Sequence, residues 1–179
     1  MSVSIPVVLG TGREERWSEH VARLVHAHLA ARDGINTELI DVRDHLTSPF
    51  TIPAWVEDER PSKWRKIASE AAGFVFVVPE YNHSFPGEFK LLFDSAFKEY
   101  AGKPASIVGV SDGQFGGVRM MQQLMPVLHT AKMYVAGTVV ATAYVDKLFK
   151  TGETDDEKYL MFVERMLDEL ITMTNAHNI

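Results

Sequence analysis

The sequence contains no cysteine, which removes disulfides, thiolate nucleophiles and cysteine-ligated metal or iron–sulfur centres together. It also lacks an excess of positive charge, since 18 Lys and Arg stand against 24 Asp and Glu; a broad phosphate-neutralising surface for nucleic acid is not expected. No apolar run approaches the length of a membrane span. The start, Met1-Ser2-Val3-Ser4-Ile5-Pro6, has no basic region followed by a signal-type apolar core, so a cytoplasmic protein is expected. No internal repeat, low-complexity tract or composition break marks a second domain, and residues 1–179 are expected to fold as one domain.

What is present is an alternation of short apolar runs and helical patterns. Ile5 to Leu9 is branched and closed by Gly10-Thr11-Gly12, as a buried strand ending in a turn would be. Val21, Leu24, Val25, His28 and Leu29 recur at helical spacing, predicting a helix over 17–32 that stops before Gly34. Thr37 to Val42 predicts a less protected strand. Residues 43–61 carry Pro49, Pro53 and Pro61 and predict an irregular surface excursion. A helix over Ser62–Ala72 precedes Gly73 to Val78, an unbroken apolar run expected to be covered on both faces. Further helices are predicted through Phe89–Phe97 and Met121–Leu128, further strands at Ser106–Val110 and Met133–Val140, and an amphipathic tail helix over 155–174. Five strands alternating with five helices give a doubly wound α/β sandwich with a parallel sheet. Trp55 and Trp64 are read as core packing, with a subunit contact or an acceptor pocket as the alternatives.

In such a sheet ligands sit outside the carboxyl ends of the strands, and three candidate turns follow strands. Gly10 to Ser18 combines small residues, hydroxyls and two arginines before a helix, which suits a phosphate. The plainer reading makes Ser18 an N-cap and leaves Arg13 and Arg16 in solvent; no Walker-type lysine is present. Pro79 to Gly87 places Tyr81 and Asn82 just beyond a buried strand, where a flat heterocycle can stack and be hydrogen-bonded; a purely structural turn is the alternative. His83, in the same stretch, is read as an exposed loop histidine rather than a catalytic acid or base. Ser111 to Gly117 is glycine-rich and again precedes a helix, serving either an electron-rich ring edge or a tight strand-to-helix connection.

These residues resemble a known family. Pro79-Glu80-Tyr81-Asn82 with Ser84, Pro86-Gly87 and Lys90, and Gly116-Gly117-Val118-Arg119 with Gln123-Leu124, are similar to two signatures of the NADPH-dependent FMN reductases, the flavodoxin-like group that includes azo-, quinone- and chromate-reducing enzymes. The resemblance implies a three-layer flavodoxin-like sandwich with a five-stranded parallel sheet in the order 2-1-3-4-5. It implies that Thr11, Arg13, Arg16 and Ser18 hold an FMN phosphate, and that Pro79, Glu80, Tyr81 and Asn82 lie along the flavin ring. Ser111, Gly113, Gly116 and Gly117 are implied at the ring's opposite side. The expected activity is ping-pong hydride transfer from NADPH or NADH through FMN to a quinone, azo, metal-oxyanion or free-flavin acceptor. No residue other than the flavin need carry the chemistry. A one-electron flavodoxin-type carrier and a flavin-free domain on the same scaffold are the competing readings. No metal is expected, and a homodimer or homotetramer is expected by similarity. Arg13, Arg16 and Arg119 also offer charge for a nicotinamide 2′-phosphate, the first two being already assigned to FMN.

Overall fold

The computed structural model describes residues 2–177. Its elements run β1 (Val3–Ser4), β2 (Val7–Leu9), α1 (Trp17–Ala30), β3 (Ile35–Asn36), β4 (Leu39–Asp41), α2 (Ser62–Glu70), β5 (Phe74–Pro79), α3 (Gly87–Asp94), β6 (Pro104–Val110), α4 (Val118–Thr130), β7 (Tyr134–Val135), β8 (Val140–Thr142), α5 (Val145–Leu148) and α6 (Glu157–His177). Single 3-10 turns occupy Val42–Asp44 and Lys98–Tyr100. Every strand pairing is parallel.

The class is the expected α/β sandwich, but the strands are more broken than the apolar runs suggested. One sheet runs β4-β2-β5-β6-β7 with β8 also on β6, and β1 pairs separately with β3. The break at Pro6 reflects its missing N–H, yet the pairing continues across it: Ile5 N–H donates to the Asn36 carbonyl at 2.9 Å and Val7 N–H to the Glu38 carbonyl at 2.9 Å. With β1/β2, β3/β4 and β7/β8 each taken as one interrupted strand, the order is 2-1-3-4-5. The predicted strand at 133–140 divides because the Glu169 carboxylate of α6 takes the N–H groups of Gly137 and Thr138, both at 2.8 Å, leaving them unable to pair with β6. A short helix, α5, had no counterpart in the sequence pattern.

Alternating residues of the central strands feed two cores. Phe74, Phe76 and Val78 of β5 face Trp64, Phe89, Phe93, Met120 and Leu124 from α2, α3 and α4. Val75 and Val77 face Val21, Val25, Val163 and Leu167 from α1 and α6. This is why β5 and β6 read as unbroken apolar runs: both faces are covered. The excursion over 43–61 is irregular, as its prolines require, and is tied down by Arg65, which donates to the carbonyls of Ser95, Pro53 and Val56.

The two tryptophans near that excursion part company. Trp64 is buried and its Nε1 donates to the Tyr100 hydroxyl at 3.0 Å, as core packing requires. Trp55 is 86% exposed and belongs to neither core, which corrects the core reading for that residue; its apolar ring lies on the surface of the pinned excursion. Among the described residues no helix is long and apolar enough to cross a membrane.

Candidate functional site

The ends of β2, β5 and β6 lie side by side: Leu9 pairs with Val77, and Pro79 with Val110. The chain therefore leaves all three strands at one edge, and two hydrogen bonds extend the ladder into the turns, Gly10 N–H to Val77 carbonyl at 2.9 Å and Glu80 N–H to Val110 carbonyl at 2.8 Å. The result is a crevice of about 160 Å³ to which Arg13, Arg16 and Ser18 contribute from the first turn. Pro79, Glu80 and Tyr81 line it from the second turn and Ser111 from the third. The three turns singled out in the sequence thus meet.

In the first turn the residues divide into structural and available groups. Arg16 is 6% exposed; its guanidinium is held by the Thr11 carbonyl, by both carboxylate oxygens of Asp41 and by Glu19. It lines the crevice and at the same time braces the turn, its charge paired within the protein. Although burial opposes ionisation of Asp41, its bonds to Arg16 and Arg43 hold the carboxyl well below the usual range. Thr11 is also buried, its hydroxyl shared between Tyr81 and Glu88. Ser18 is different. It sits in the first turn of α1, 2% exposed, and its Oγ has no hydrogen-bond partner among the described residues. Helix α1 has no side-chain cap; the Glu19 N–H turns back to the Arg16 carbonyl at 3.1 Å, and the Trp17 and Ser18 N–H groups and the Ser18 hydroxyl stand at the positive end of a 14-residue helix, with exposed Arg13 close by in the crevice lining. Such donors suit a phosphate monoester.

The second turn is a tight hairpin. Tyr81 and Ser84 exchange both backbone hydrogen bonds, at 2.8 and 2.9 Å, around Asn82 and His83 with φ of 48° and 66°. Two successive left-handed residues make the turn type that asparagine tolerates best. Asn82 and His83 are exposed at its tip and neither lines the crevice. Glu80 has a side chain only 5% exposed, with Oε1 accepting from Arg119 at 2.8 Å and Oε2 from the Met120 N–H at 3.4 Å. The carboxylate therefore caps α4 and fixes Arg119, whose guanidinium also lies over the Phe115 ring, 4.9 Å from its centre. Arg119 is thereby committed to the protein.

In the third turn Ser111 Oγ accepts from the Gly113 N–H at 3.0 Å, and the Ser111 and Gly113 carbonyls accept from Val145 and Tyr144. Gly116 and Gly117 are buried and take φ of 58° and 87°; a Cβ on either would come within 2.8 Å of backbone atoms of Ala141 or Val110. Their role in the structure is close packing of the turn against β6 and β8, and they do not reach the crevice lining.

Several contributors escaped the sequence reading. Trp17, 38% exposed, and Val145 line the crevice, while Asp41 and Glu88 hold the first turn from neighbouring elements. Trp17 had a local signal, an aromatic at a helix start; Asp41 and Glu88 act across 25 and 76 positions of sequence and had none. A larger hollow, about 470 Å³, lies elsewhere, between α3, the end of α4 and residues 51–55. Apart from the Lys90–Asp94 pair it offers few convergent polar groups, so the chemistry favours the smaller crevice. Among the described residues no group of three or more metal-ligating side chains is assembled.

Comparison with known proteins agrees with this geometry. The profile of the family described as NADPH-dependent FMN reductase matches residues 3–146. The NAD(P)H-dependent FMN reductase LOT6 of Saccharomyces cerevisiae is 39% identical over 153 residues, covering 76% of this chain and 79% of that protein. A quinone reductase of Pseudomonas putida is 26% identical over 185 residues, covering 92% and 91%. In three dimensions the chain superimposes on FerB, a flavoenzyme NAD(P)H:(acceptor) oxidoreductase from Paracoccus denitrificans, with a TM-score of 0.78 at 19% identity over 98% of both chains; at that identity the likeness speaks for the flavodoxin-like fold.

Proposed function

The chain belongs to the NADPH-dependent FMN reductase family, and from that premise we propose how its crevice serves an FMN-dependent NAD(P)H oxidoreductase. When bound, FMN supplies the redox chemistry, taking up hydride from a reduced nicotinamide and releasing the electrons to a small acceptor such as a quinone. The protein binds, orients and shields. Ser18, the leading N–H groups of α1 and Arg13 take the phosphate; Pro79, Glu80 and Tyr81 form the wall along the ring; Ser111 bounds its other side. Thr11 and Arg16 keep the phosphate turn in shape. The whole chain is read as a single FMN-binding domain.

The observation that carries this reading is the buried, unpartnered Ser18 hydroxyl at an uncapped helix start, within the same crevice as Tyr81 and Ser111. A buried hydroxyl without a partner costs about 1–3 kcal/mol, so a ligand oxygen that meets it recovers that cost. At about 160 Å³ the crevice is smaller than sites that enclose a whole cofactor, which leaves one side of a bound ring open. One open side supports alternate use by donor and acceptor. It also supports assembly as a homodimer or homotetramer, for which the exposed Trp55 and Phe97 beside the larger groove are the apolar candidates.

Reconstitution with FMN, followed by steady-state oxidation of NADPH and NADH with a quinone, tests the reading. Yellow protein and parallel double-reciprocal lines are expected. Protein that stays colourless at saturating FMN, or kinetics that demand both substrates bound together, would overturn it.

A further inference from the structure

We propose that Glu88 is a positioning residue that couples the phosphate-binding turn to the ring-binding turn. The proposal rests on the FMN reading above. Glu88 lies in the first turn of α3, outside the crevice lining. One of its oxygens, Oε1, accepts from the Gly12 N–H at 2.9 Å and from the Thr11 hydroxyl at 3.0 Å. The same Thr11 Oγ1 is 2.8 Å from the Tyr81 hydroxyl and accepts from the Arg13 N–H at 3.3 Å.

A threonine hydroxyl has one proton and two lone pairs. An ionised carboxylate only accepts, so that proton goes to Glu88 and both lone pairs remain for Tyr81 and Arg13. The direction of the chain follows: Tyr81 donates to Thr11, and Thr11 donates to Glu88. The phenolic proton of Tyr81 is thereby committed inward, and toward a ligand its oxygen acts only as an acceptor. Glu88 thus does two things from behind the site. It fixes the backbone of Gly12, between the ends of the phosphate turn, and it sets the hydrogen-bonding sense of the aromatic residue on the ring wall. A Cβ at Gly12 would meet Arg43 Cγ at 3.3 Å and would only touch Glu88, at 3.9 Å, so the grip of Glu88 on this turn runs through the Gly12 N–H rather than through the absence of a side chain.

The test compares Glu88→Ala, which deletes the acceptor, with Glu88→Gln, which keeps an acceptor oxygen at the same reach. In flavin-free protein, hydrogen exchange at the Gly12 amide is expected to accelerate about tenfold or more in Glu88→Ala and to stay within about threefold in Glu88→Gln. By flavin fluorescence, Glu88→Ala is expected to weaken FMN about tenfold while riboflavin, which has no phosphate, changes less than about threefold. Glu88→Gln should restore the wild-type preference. In a Thr11→Val background, Glu88→Ala should add little further loss of FMN, because the link it breaks is already gone.

Unchanged Gly12 exchange in Glu88→Ala overturns the proposal. So does an equal loss of FMN and riboflavin accompanied by a lowered melting temperature, which would make Glu88 a general stabiliser. A glutamine variant as weak as the alanine variant overturns the acceptor mechanism. Wild-type protein that binds neither flavin refutes the cofactor reading separately, and Gly12 exchange still decides whether Glu88 grips the turn.

Discussion

The guanidinium of Arg16 is buried against the carboxylate of Asp41, so the turn after β2 is anchored to the end of the neighbouring strand β4 by an ion pair beneath the crevice. Replacing Asp41 with Asn leaves that buried cation only its longer pairing with Glu19, at 3.4 Å, and is expected to destabilise the fold by about 2 kcal/mol, measured by denaturant unfolding. The pH dependence has a definite sign. Asp41 titrates lower in the folded protein than in the unfolded chain: burial works against its charge, and the bonds to Arg16 and Arg43 outweigh it. Its contribution is therefore complete above about pH 4, the unfolded value, and is lost as pH falls further toward the folded value. Wild-type stability should drop more steeply than that of Asp41→Asn below about pH 4.

Ser18→Ala removes a buried hydroxyl that bonds to nothing within the described protein. In flavin-free protein the variant should be more stable by about 1–3 kcal/mol, because the unpaired buried hydroxyl is removed. FMN affinity should nevertheless fall about tenfold while riboflavin affinity holds, because the lost donor serves the phosphate. Equal affinity of wild type and variant for FMN would remove Ser18 from the site.

Glu80 and Arg119 are expected to be energetically coupled. Arg119→Leu strands a carboxylate whose side chain is 5% exposed, whereas Arg119 itself is 40% exposed and partly screened. A double-mutant cycle with Glu80→Gln should return a coupling of about 2 kcal/mol. Additive effects would mean that the pair holds nothing in place.

Gly116→Ala should cost about 3 kcal/mol, since φ is 58° and the new Cβ would stand 2.8 Å from the Ala141 carbonyl carbon. Gly87→Ala is the control: its new methyl would meet no atom within 4 Å, and helix propensity predicts no loss and a gain of at most about 0.5 kcal/mol. Thermal unfolding of the two variants compares them directly.

Trp55→Ser and Phe97→Ser should weaken self-association without altering the melting of the isolated chain, because both rings are on the surface. Sedimentation at several protein concentrations reads this, and an unchanged distribution would count against the proposed assembly through this face.

Much of this architecture was legible in the sequence because its cause is local. The apolar run at 73–78 has one explanation, a strand covered on both sides, and β5 is that strand. The turns stood out because prolines, glycines and hydroxyls cluster where strands end, and parallel register brings strand ends together. Legibility failed where long-range contacts decide. The split between β7 and β8 is imposed by Glu169 from α6, more than thirty residues away, and no local pattern announces it. Arg16 illustrates the same limit: beside Arg13 it reads as a second phosphate ligand, and its pairing with Asp41 has no local sign. Gly116 and Gly117 were conspicuous as glycines, yet that conspicuousness reflects crowding against Ala141 and Val110.

The placement of the three tryptophans has a practical consequence. Trp17 samples the crevice, Trp64 is hydrogen-bonded within a core, and Trp55 stands in water. Each indole occupies a different dielectric surrounding, so their emission maxima separate. Variants that retain one indole at a time, with phenylalanine at the other two positions, give independent optical gauges of crevice filling, core melting and surface contact in a single protein.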